Sequence, residues 1–350
     1  MSFKRLDPDD FLISADSITA GAWTGNNPTL TTNFTSSTQA GASSGDYYLD
    51  VYDEDPSLST TSSVQYSVAF GDSAGSGSLL FDPGIDGKAP TSVVYGQFQN
   101  IVLGDENADF SFGGITINTQ SLYAISVERS KYKGSILPGV LSLNLSTNNN
   151  TNVLSLTDNS NDVSTVSFNE AGRVYQIVSG SGGSAIGSDA TPLDAISNGM
   201  TASGSYGLFL PDIGTLLLNP EALDLPFAGG GINLSTAFQS NTDDNNNQKL
   251  YQAISQSEAG FTLNSQENIT SDYIFIRARN SEYNYSENPS FISGSSGEVL
   301  YTNFINAPQT FITSIGLYND NNELLAVAKL SKPLKKDFTK EALVRIKLDF

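Results

Sequence analysis

The chain ends in FITSIGLYNDNNELLAVAKLSKPLKKDFTKEALVRIKLDF (residues 311–350), and this stretch indicates the fold class. From Phe311 to Leu317, large apolar residues alternate with small or polar ones, which is the pattern of a half-buried strand. A turn-forming run of Asn and Asp follows at 319–322, and a second apolar strand comes directly after it. We therefore predict an antiparallel β-hairpin, followed by a third short strand over 342–348.

Further upstream, short apolar runs alternate with turns rich in Gly, Asn and Asp. The clearest runs are SVQYSVAFG (63–71), LYAISVER (122–129), VLSLNLS (140–146), RVYQIVSG (173–180) and YIFIRARN (273–280). No amphipathic crossover helices separate them, which disfavours a parallel sheet. Helical periodicity is convincing only over 247–257, and a short helix is expected near Pro220. We predict a mainly β protein of antiparallel, β-sandwich-like sheets with few short helices and long loops.

Composition shifts divide the chain into four predicted segments. They are an extended N-terminal arm (1–46), a β-rich domain (47–180), a second, mixed but mostly β region with one helix (181–310), and the C-terminal hairpin with a basic tab (311–350). The Gly- and Ser-rich stretch 179–199 is the candidate linker. The arm carries the single tryptophan, Trp23, which either docks on a neighbouring subunit or covers the edge of this chain's own core.

Histidine and cysteine are both absent from the chain. This excludes a Ser-His-Asp triad, a thiolate nucleophile, a disulfide and a Cys/His zinc site. Carboxylate catalysis of the glycosidase type stays open in principle, because the chain has 37 acidic residues. The candidate acids occur in turn-like sequences, where carboxylates are normally solvated: Asp105, Glu106, Asp109, Glu128 and Glu170. We predict that the protein is not an enzyme and has no cofactor.

Four loops are rich in the oxygen ligands that calcium accepts. They are DENAD (105–109), TDNSND (157–162), TDDNNN (242–247) and NDNNE (319–323). None has the spacing of an EF-hand loop, and turn formation explains Asp and Asn clusters without an ion. We predict no metal site.

Charge is distributed unevenly along the chain. The net charge of −20 argues against binding to a nucleic-acid backbone. Residues 329–350 contain seven basic and three acidic residues, a net of +4, so the remainder carries −24. Such a basic tab suits docking between copies of the chain or onto an acidic neighbour. The alternative is that its lysines are solvated and protect the edge of a terminal strand.

The sequence shows no signal for export or for membrane insertion. The amino-terminal MSFKRLDPDDFLIS lacks the apolar core of a secretory signal. Nowhere do about 18 apolar residues follow one another. We expect a soluble chain without a membrane span.

Candidate protein-contact residues come from three segments. They are Trp23 in the arm, Tyr283, Tyr285 and Phe291 in the loop SEYNYSENPSFIS, and Lys332, Lys335, Lys336, Arg345 and Phe350 in the tab.

Several segments resemble virion structural proteins of contractile-tailed phages that infect marine cyanobacteria. They are GLYNDNNELLAVAKLSKPL (316–334), EALVRIKLDF (341–350), DYIFIRARNSEYNYSENPSF (272–291), SGSYGLFLPDIGTLLLNPEAL (203–223) and YGQFQNIVLGDENADFSFGG (95–114). The hairpin alone is also similar to the attachment domain of phage tail-collar fibres. The resemblance implies a particle component without a reaction, and it brings no catalytic residues.

The expected function is therefore that of a structural subunit of a tailed phage, in the tail or baseplate. Its partners would be other virion proteins and further copies of itself, and its location the virion, assembled in the host cytoplasm. Two alternatives stay open. One is a receptor- or glycan-binding fibre component that contacts host surface glycan through 281–293, and the other is a head decoration or neck protein.

Overall fold

The computed structural model describes residues 4–36, 48–77, 89–112, 120–186, 206–238, 245–285, 288–294 and 296–349. The chain divides into two compact units. Unit 1 comprises Met1–Ser17 and Asn268–Phe350, and unit 2 comprises Ile18–Glu267. The predicted segment boundaries at 46 and 180 both fall within the span of unit 2.

Strands dominate both units. They are β1 (Phe11–Gly21), β2 (Thr29–Leu30), β3 (Leu49–Tyr52), β4 (Val64–Asp72), β5 (Ser121–Val127), β6 (Ser135–Ile136), β7 (Ser142–Leu145), β8 (Leu154–Asp158), β9 (Ser167–Asn169), β10 (Gly172–Ser181), β11 (Ser184–Ala185), β12 (Gly207–Leu210), β13 (Thr215–Leu218), β14 (Phe261–Thr262), β15 (Asn264–Ala278), β16 (Gln309–Tyr318), β17 (Leu324–Asp337) and β18 (Ala342–Asp349). The α-helices are α1 (Pro90–Phe98), α2 (Pro220–Asp224), α3 (Asn246–Ser255) and α4 (Thr302–Asn306). With 42% strand against 16% helix, the predicted mainly β class is confirmed.

Unit 2 is built on one large antiparallel sheet that curls into a half-barrel. Its strand order is β2-β14-β7-β8-β10-β12-β13-β5-β4-β3, and β9 and β11 pair with β10 beside this path. Neighbouring strands are often consecutive along the chain. A short turn joins β12 to β13, and a longer connection that contains α1 joins β4 to β5. This is the antiparallel arrangement that the turn-rich spacing of the apolar runs predicts.

The central strands of this sheet are covered on both faces. In β13, Leu216 and Leu218 pack into a core shared with α2 and α3, whereas Leu217 packs into a second core with α1. Because successive strand residues point to opposite faces, a run such as TLLL is wholly buried only when both faces are covered.

Of the four α-helices in the described segments, two follow sequence signals, and α1 and α4 do not. The predicted helix at 247–257 is observed as α3, and the helix expected near Pro220 is α2. Asn219 caps α2, accepting a 3.0 Å bond from the Glu221 backbone N–H. Helix α1 was not predicted, because its apolar residues show little helical periodicity; Pro90 at its first turn is the available start signal.

Much of the predicted N-terminal arm belongs to the chain's own sheets. Residues 11–30 supply β1 and β2, and β2 pairs with β14. The last part of the arm, 37–46, lies outside the described residues. The same holds for 187–199 of the predicted linker, whereas its first residues complete β10 and form β11.

Unit 1 contains an open sheet and a separate hairpin. The sheet has the order β1-β15-β18, and β16 pairs with β17 in a two-stranded sheet of their own. Eight residue pairs join β15 to β18, from Ser271↔Asp349 to Ala278↔Ala342. The predicted alternation of β15 is confirmed, since Ile274 and Ala278 are buried on one face and Arg277 is exposed on the other.

Candidate assembly surface

The predicted C-terminal hairpin is present as β16 and β17, and it is exposed along almost its whole length. No residue from Gln309 through Tyr318 or from Leu324 through Lys335 is buried. Apolar side chains nevertheless stand on it, with exposed fractions of 60% for Phe311, 68% for Leu325 and 60% for Val327. A two-stranded hairpin is marginally stable alone, so this element is a strong candidate for contacts with another chain.

The tip of the hairpin is closed by Asn319. Its Oδ1 accepts backbone bonds from Asn321 N at 3.0 Å and Glu323 N at 2.8 Å, and its Nδ2 donates to Glu323 Oε2 at 2.6 Å. Asn322 takes the left-handed conformation, with φ 61°, that Asn tolerates. This loop, NDNNE, is one of the four oxygen-rich loops, and the side-chain oxygens of Asn319 and Glu323 are engaged in building the turn.

A bulge interrupts the hairpin between tip and base. Ile312 pairs with Leu334 and Ser314 pairs with Lys329, so one residue of β16 faces four of β17. Pro333, which lacks an N–H to donate, lies in this irregular stretch. The half-buried residue before the bulge is Ile312, and those after it are Ile315 and Leu317, which are three and five positions further on. The predicted alternation over 311–317 therefore holds on each side of the bulge but is interrupted at it.

Lys336 anchors the base of the hairpin. Its side chain is fully buried, and Nζ donates to Asn280 O and Asn284 Oδ1 at 3.0 Å each and to Asp337 O at 3.2 Å. Thr310, paired with Lys336 across the hairpin, donates its hydroxyl to Tyr283 O. A buried ammonium group satisfied by three oxygens holds the loop 280–284 to the hairpin.

The open sheet of unit 1 presents a cationic and aromatic face. The Arg345 guanidinium lies 5.2 Å, and Lys347 Nζ 5.8 Å, from the centre of the Tyr273 ring. Arg277 forms a 2.6 Å ion pair with Glu341, and its bond lowers the pKa of that carboxyl. The charges on this face are thus partly matched within the unit.

A small aromatic cluster lies in the segment before the hairpin. The Phe291 ring contacts the rings of Tyr301 and Phe304 at centroid distances of 5.6 and 5.1 Å. Tyr283 and Tyr285, by contrast, are 37% and 49% exposed. The described part of the predicted loop therefore does present aromatic surface.

The structure separates the predicted contact residues into three groups. Lys332, Lys335 and Arg345 are exposed, Phe291 is half-buried, and Tyr283 and Tyr285 are exposed. Trp23 and Lys336 are buried inside their own units, so neither lies on the accessible surface. Phe350 lies outside the described residues.

Trp23 sits in the core of unit 2. Its indole N–H donates a 2.7 Å bond to Phe261 O, and its ring lies 5.0 Å from that of Phe261 and 6.0 Å from that of Tyr66. Of the two interpretations of this residue, its burial corresponds to the one in which it covers the chain's own core.

Sequence reasoning missed the exposed apolar residues of the hairpin itself. The sequence predicts ordinary strand positions for Leu325 and Val327, yet both are exposed. The signal was the run LLAVA (324–328), in which no polar residue alternates with the apolar ones. A strand with one wet face normally carries polar residues there, so an unbroken apolar run indicates a partner on both faces.

Lys131 in unit 2 has a lowered pKa and a bond to a serine hydroxyl, as a reactive amine would, but its other contacts indicate a structural network. Lys131 Nζ donates to Thr24 Oγ1 at 2.7 Å and to Ser63 Oγ at 2.8 Å. Desolvation lowers its pKa, against the opposing charges of Asp53 and Glu128. Buried Gln65 donates to the same two hydroxyls. These bonds join Lys131 and Ser63 to Thr24 and Gln65 in one network. The network ties the turn after Trp23 to β4.

The acidic residues of the described segments form no cluster of the kind that holds a metal ion. The five candidate acids at 105, 106, 109, 128 and 170 are all exposed. Within the described residues, no three Asp or Glu side chains converge as metal ligands would. Asp158, in the loop TDNSND, is buried and accepts bonds from Gly139 N and Ser160 N, which shape a turn.

Comparison with protein-family models, curated proteins and solved structures gave no match. Among the helices of the described segments, none has the length and apolar character needed to cross a bilayer.

Proposed function

We propose that this chain is a structural component of a tailed-phage particle, most simply of the tail or baseplate, that docks to other virion proteins through unit 1. The observation that carries the proposal is the C-terminal hairpin, which bears Phe311, Leu325 and Val327 on an element without a buried residue up to Lys335. The resemblance of residues 316–334 and 341–350 to virion proteins supplies the kind of particle.

Burial of the hairpin would supply the affinity. Each exposed Val, Leu or Phe side chain gains about 1.5–3 kcal/mol when it is fully removed from water. Large apolar side chains exposed on one element are typical of protein contact sites. The ordered β-hairpin would bind with little loss of backbone entropy. A passive, assembled component located in the virion after synthesis in the host cytoplasm fits these properties.

The proposal is tested by incorporation of hairpin variants into particles. Val327→Asp places a charge on the exposed apolar surface, and Thr313→Asp places the same charge on an exposed polar position of the same hairpin. We expect the first variant to be lost from purified particles and the second to be retained, as measured by quantitative mass spectrometry. Equal incorporation of both, with the chain mapped to the particle by cryo-electron microscopy, would contradict docking through the hairpin.

A glycan-binding fibre component is a second candidate, and exposed aromatic side chains favour it. Tyr285 and Tyr301 are 49% and 56% exposed in the segment before the hairpin, and aromatic rings are common platforms for sugars. Binding of the purified chain to host envelope polysaccharide, abolished by Tyr285→Ala with Tyr301→Ala, would support this function. Absence of binding would leave the structural proposal alone.

A further inference from the structure

The hairpin carries opposite charges at its two ends. At the tip, Asp320 and Glu323 are exposed and no basic residue occurs between 319 and 323. Towards the base, Lys329, Lys332 and Lys335 are exposed. The hairpin is therefore an acidic-to-basic rod whose two halves are complementary to each other.

An apolar patch lies between these charges. It consists of Tyr318, Leu324 and Val327, which are 40%, 53% and 60% exposed. All three surround Gly316: Val327 pairs with it across the hairpin, and a Cβ on Gly316 would lie 2.8 Å from Tyr318 Cε2 and 3.2 Å from Leu324 Cδ1. Because Gly316 has no side chain, Tyr318 and Leu324 can lie against its backbone and the patch is flat. A flat apolar patch is suited to contact another flat surface.

We propose that the patch is covered by the same patch of a second copy of this chain, with the two hairpins antiparallel about a two-fold axis near Val327. Such an axis places Glu323 of one copy level with position 331 of the other, between Lys329 and Lys332. Four residues of strand, about 13 Å, separate the axis from each of these contacts. Because a two-fold contact is reciprocal, the tip of each copy meets the basic segment of the other.

The contact is expected to be face to face and not edge to edge. Val327 and Lys329, two residues apart in β17, point to the same face of the hairpin. The edge of β17, in contrast, carries Pro333 and the bulge, which block regular addition of a strand. The apolar patch and a lysine thus lie together on the surface that the second copy would cover.

This inference rests on the proposed function, because it names one partner in the assembly. It differs from docking of the basic tab onto the acidic body of another copy. In that arrangement the lysines would matter and the tip would not, whereas the two-fold contact requires both.

The test is charge exchange in the full-length chain, measured by sedimentation velocity at low and at physiological salt. The tip variant is Asp320→Lys with Glu323→Lys, and the base variant is Lys329→Glu with Lys332→Glu. We expect a wild-type dimer, with each variant alone self-associating about tenfold or more weakly, since attraction between tip and basic segment becomes repulsion at both ends of the contact. An equimolar mixture of the two variants should dimerise again, as should the chain that carries all four changes.

The recovery in the mixture is the decisive result, because misfolding of either variant cannot produce it. Val327→Asp should abolish the dimer, and Thr313→Asp should leave it intact. A wild-type chain that stays monomeric at concentrations on the order of 100 µM, or a dimer that tolerates the tip variant, would overturn the inference. If the chain is monomeric and Val327→Asp is still lost from particles, the proposed function stands and the hairpin's partner is a different protein.

Discussion

Lys336 is a single residue on which the base of the hairpin depends. Its Nζ satisfies three oxygens, from Asn280, Asn284 and Asp337, and its side chain is fully buried. Lys336→Ala leaves those oxygens without their donor, which costs about 1–3 kcal/mol. We expect faster amide hydrogen exchange over 280–284 and 334–337. The neighbouring Lys335→Ala is the control, because Lys335 is exposed; equal effects of the two variants would contradict the anchoring role.

Trp23 is the only tryptophan and therefore reports on unit 2 alone. Because its ring is buried against Phe261 and Tyr66, we expect blue-shifted emission that acrylamide quenches weakly in the isolated chain. Trp23→Ala should lower the free energy of unfolding by about 3–5 kcal/mol, and Trp23→Phe by less, since a ring is kept. Emission typical of an exposed indole in the isolated chain would instead support the docking arm.

Asp212 provides a pH-dependent contribution to unit 2. Burial raises its pKa, but the bonds from Arg173, at 2.6 Å and 3.0 Å to Oδ1 and 2.8 Å from the backbone N–H, outweigh burial and lower it overall. A depressed carboxyl pKa stabilises the fold above the unfolded value and ceases to do so as pH falls through the folded value. Asp212→Asn should thus lose about 1.5–3 kcal/mol at neutral pH.

The same variant supplies its own control at low pH. The difference in unfolding free energy between wild type and Asp212→Asn should shrink as pH falls below the unfolded carboxyl pKa, near 3.8. Chemical denaturation followed by tryptophan emission measures it. A difference that does not change with pH would assign the effect of the substitution to packing and not to ionisation.

At the scale of elements, strands were predictable where one face is exposed to solvent, or where a short apolar run lies between clear turn signals. The alternation in YIFIRARN placed Ile274 and Ala278 on the buried face of β15, and the Asn/Asp turn located the hairpin. The bulge opposite Thr313 was not predictable, because three extra residues in one strand leave no mark in the alternation of the other.

The contact residues were less predictable than the strands. Lys336 and Trp23 were selected by residue type, and type does not reveal whether a lysine or an indole finds its partners inside the same unit. The exposed Leu325 and Val327 were overlooked because an apolar strand is normally assigned to a core. Exposure depends on which elements pack together, and the pairing of β16 with β17 leaves one face of the hairpin exposed and the other only half-buried.

Strand β18 is the element that limits truncation of the basic tab. It forms eight residue pairs with β15, and Ala342 and Ile346 are buried in it. Ending the chain after Lys340 should therefore leave one edge of β15 without its hydrogen-bonded neighbour and speed amide exchange over 271–278. Removal of Phe350 alone is the matched control and should leave exchange there unchanged. Unaltered protection of 271–278 without β18 would show that β15 is held by other contacts.

At the scale of the whole molecule, most of the net charge belongs to one unit. Unit 1 has 11 basic and 13 acidic residues, a net of −2, whereas unit 2 has 6 basic and 24 acidic residues, a net of −18. The unit that carries the exposed hairpin is thus nearly neutral and can approach another copy of itself without strong repulsion. The highly charged unit resists non-specific association, which suits the proposed role in assembly.

The excess charge of unit 2 predicts how its stability responds to salt. Six basic residues can neutralise only a quarter of its acids, so repulsion outweighs ion pairs such as that of Arg173 with Asp212. Raising sodium chloride from about 10 to 150 mM shortens the Debye length from about 30 to 8 Å and screens that repulsion. At neutral pH we expect the melting temperature, followed by Trp23 emission, to rise by about 2–4 °C, which corresponds to roughly 1 kcal/mol. At pH 4.1, the isoelectric point of the whole chain, fewer acids of unit 2 are ionised and their repulsion is weaker, so the same salt step should have a smaller effect. A melting temperature that falls with salt at neutral pH would mean that attractive pairs dominate unit 2 and that its acids are arranged around fixed cationic partners.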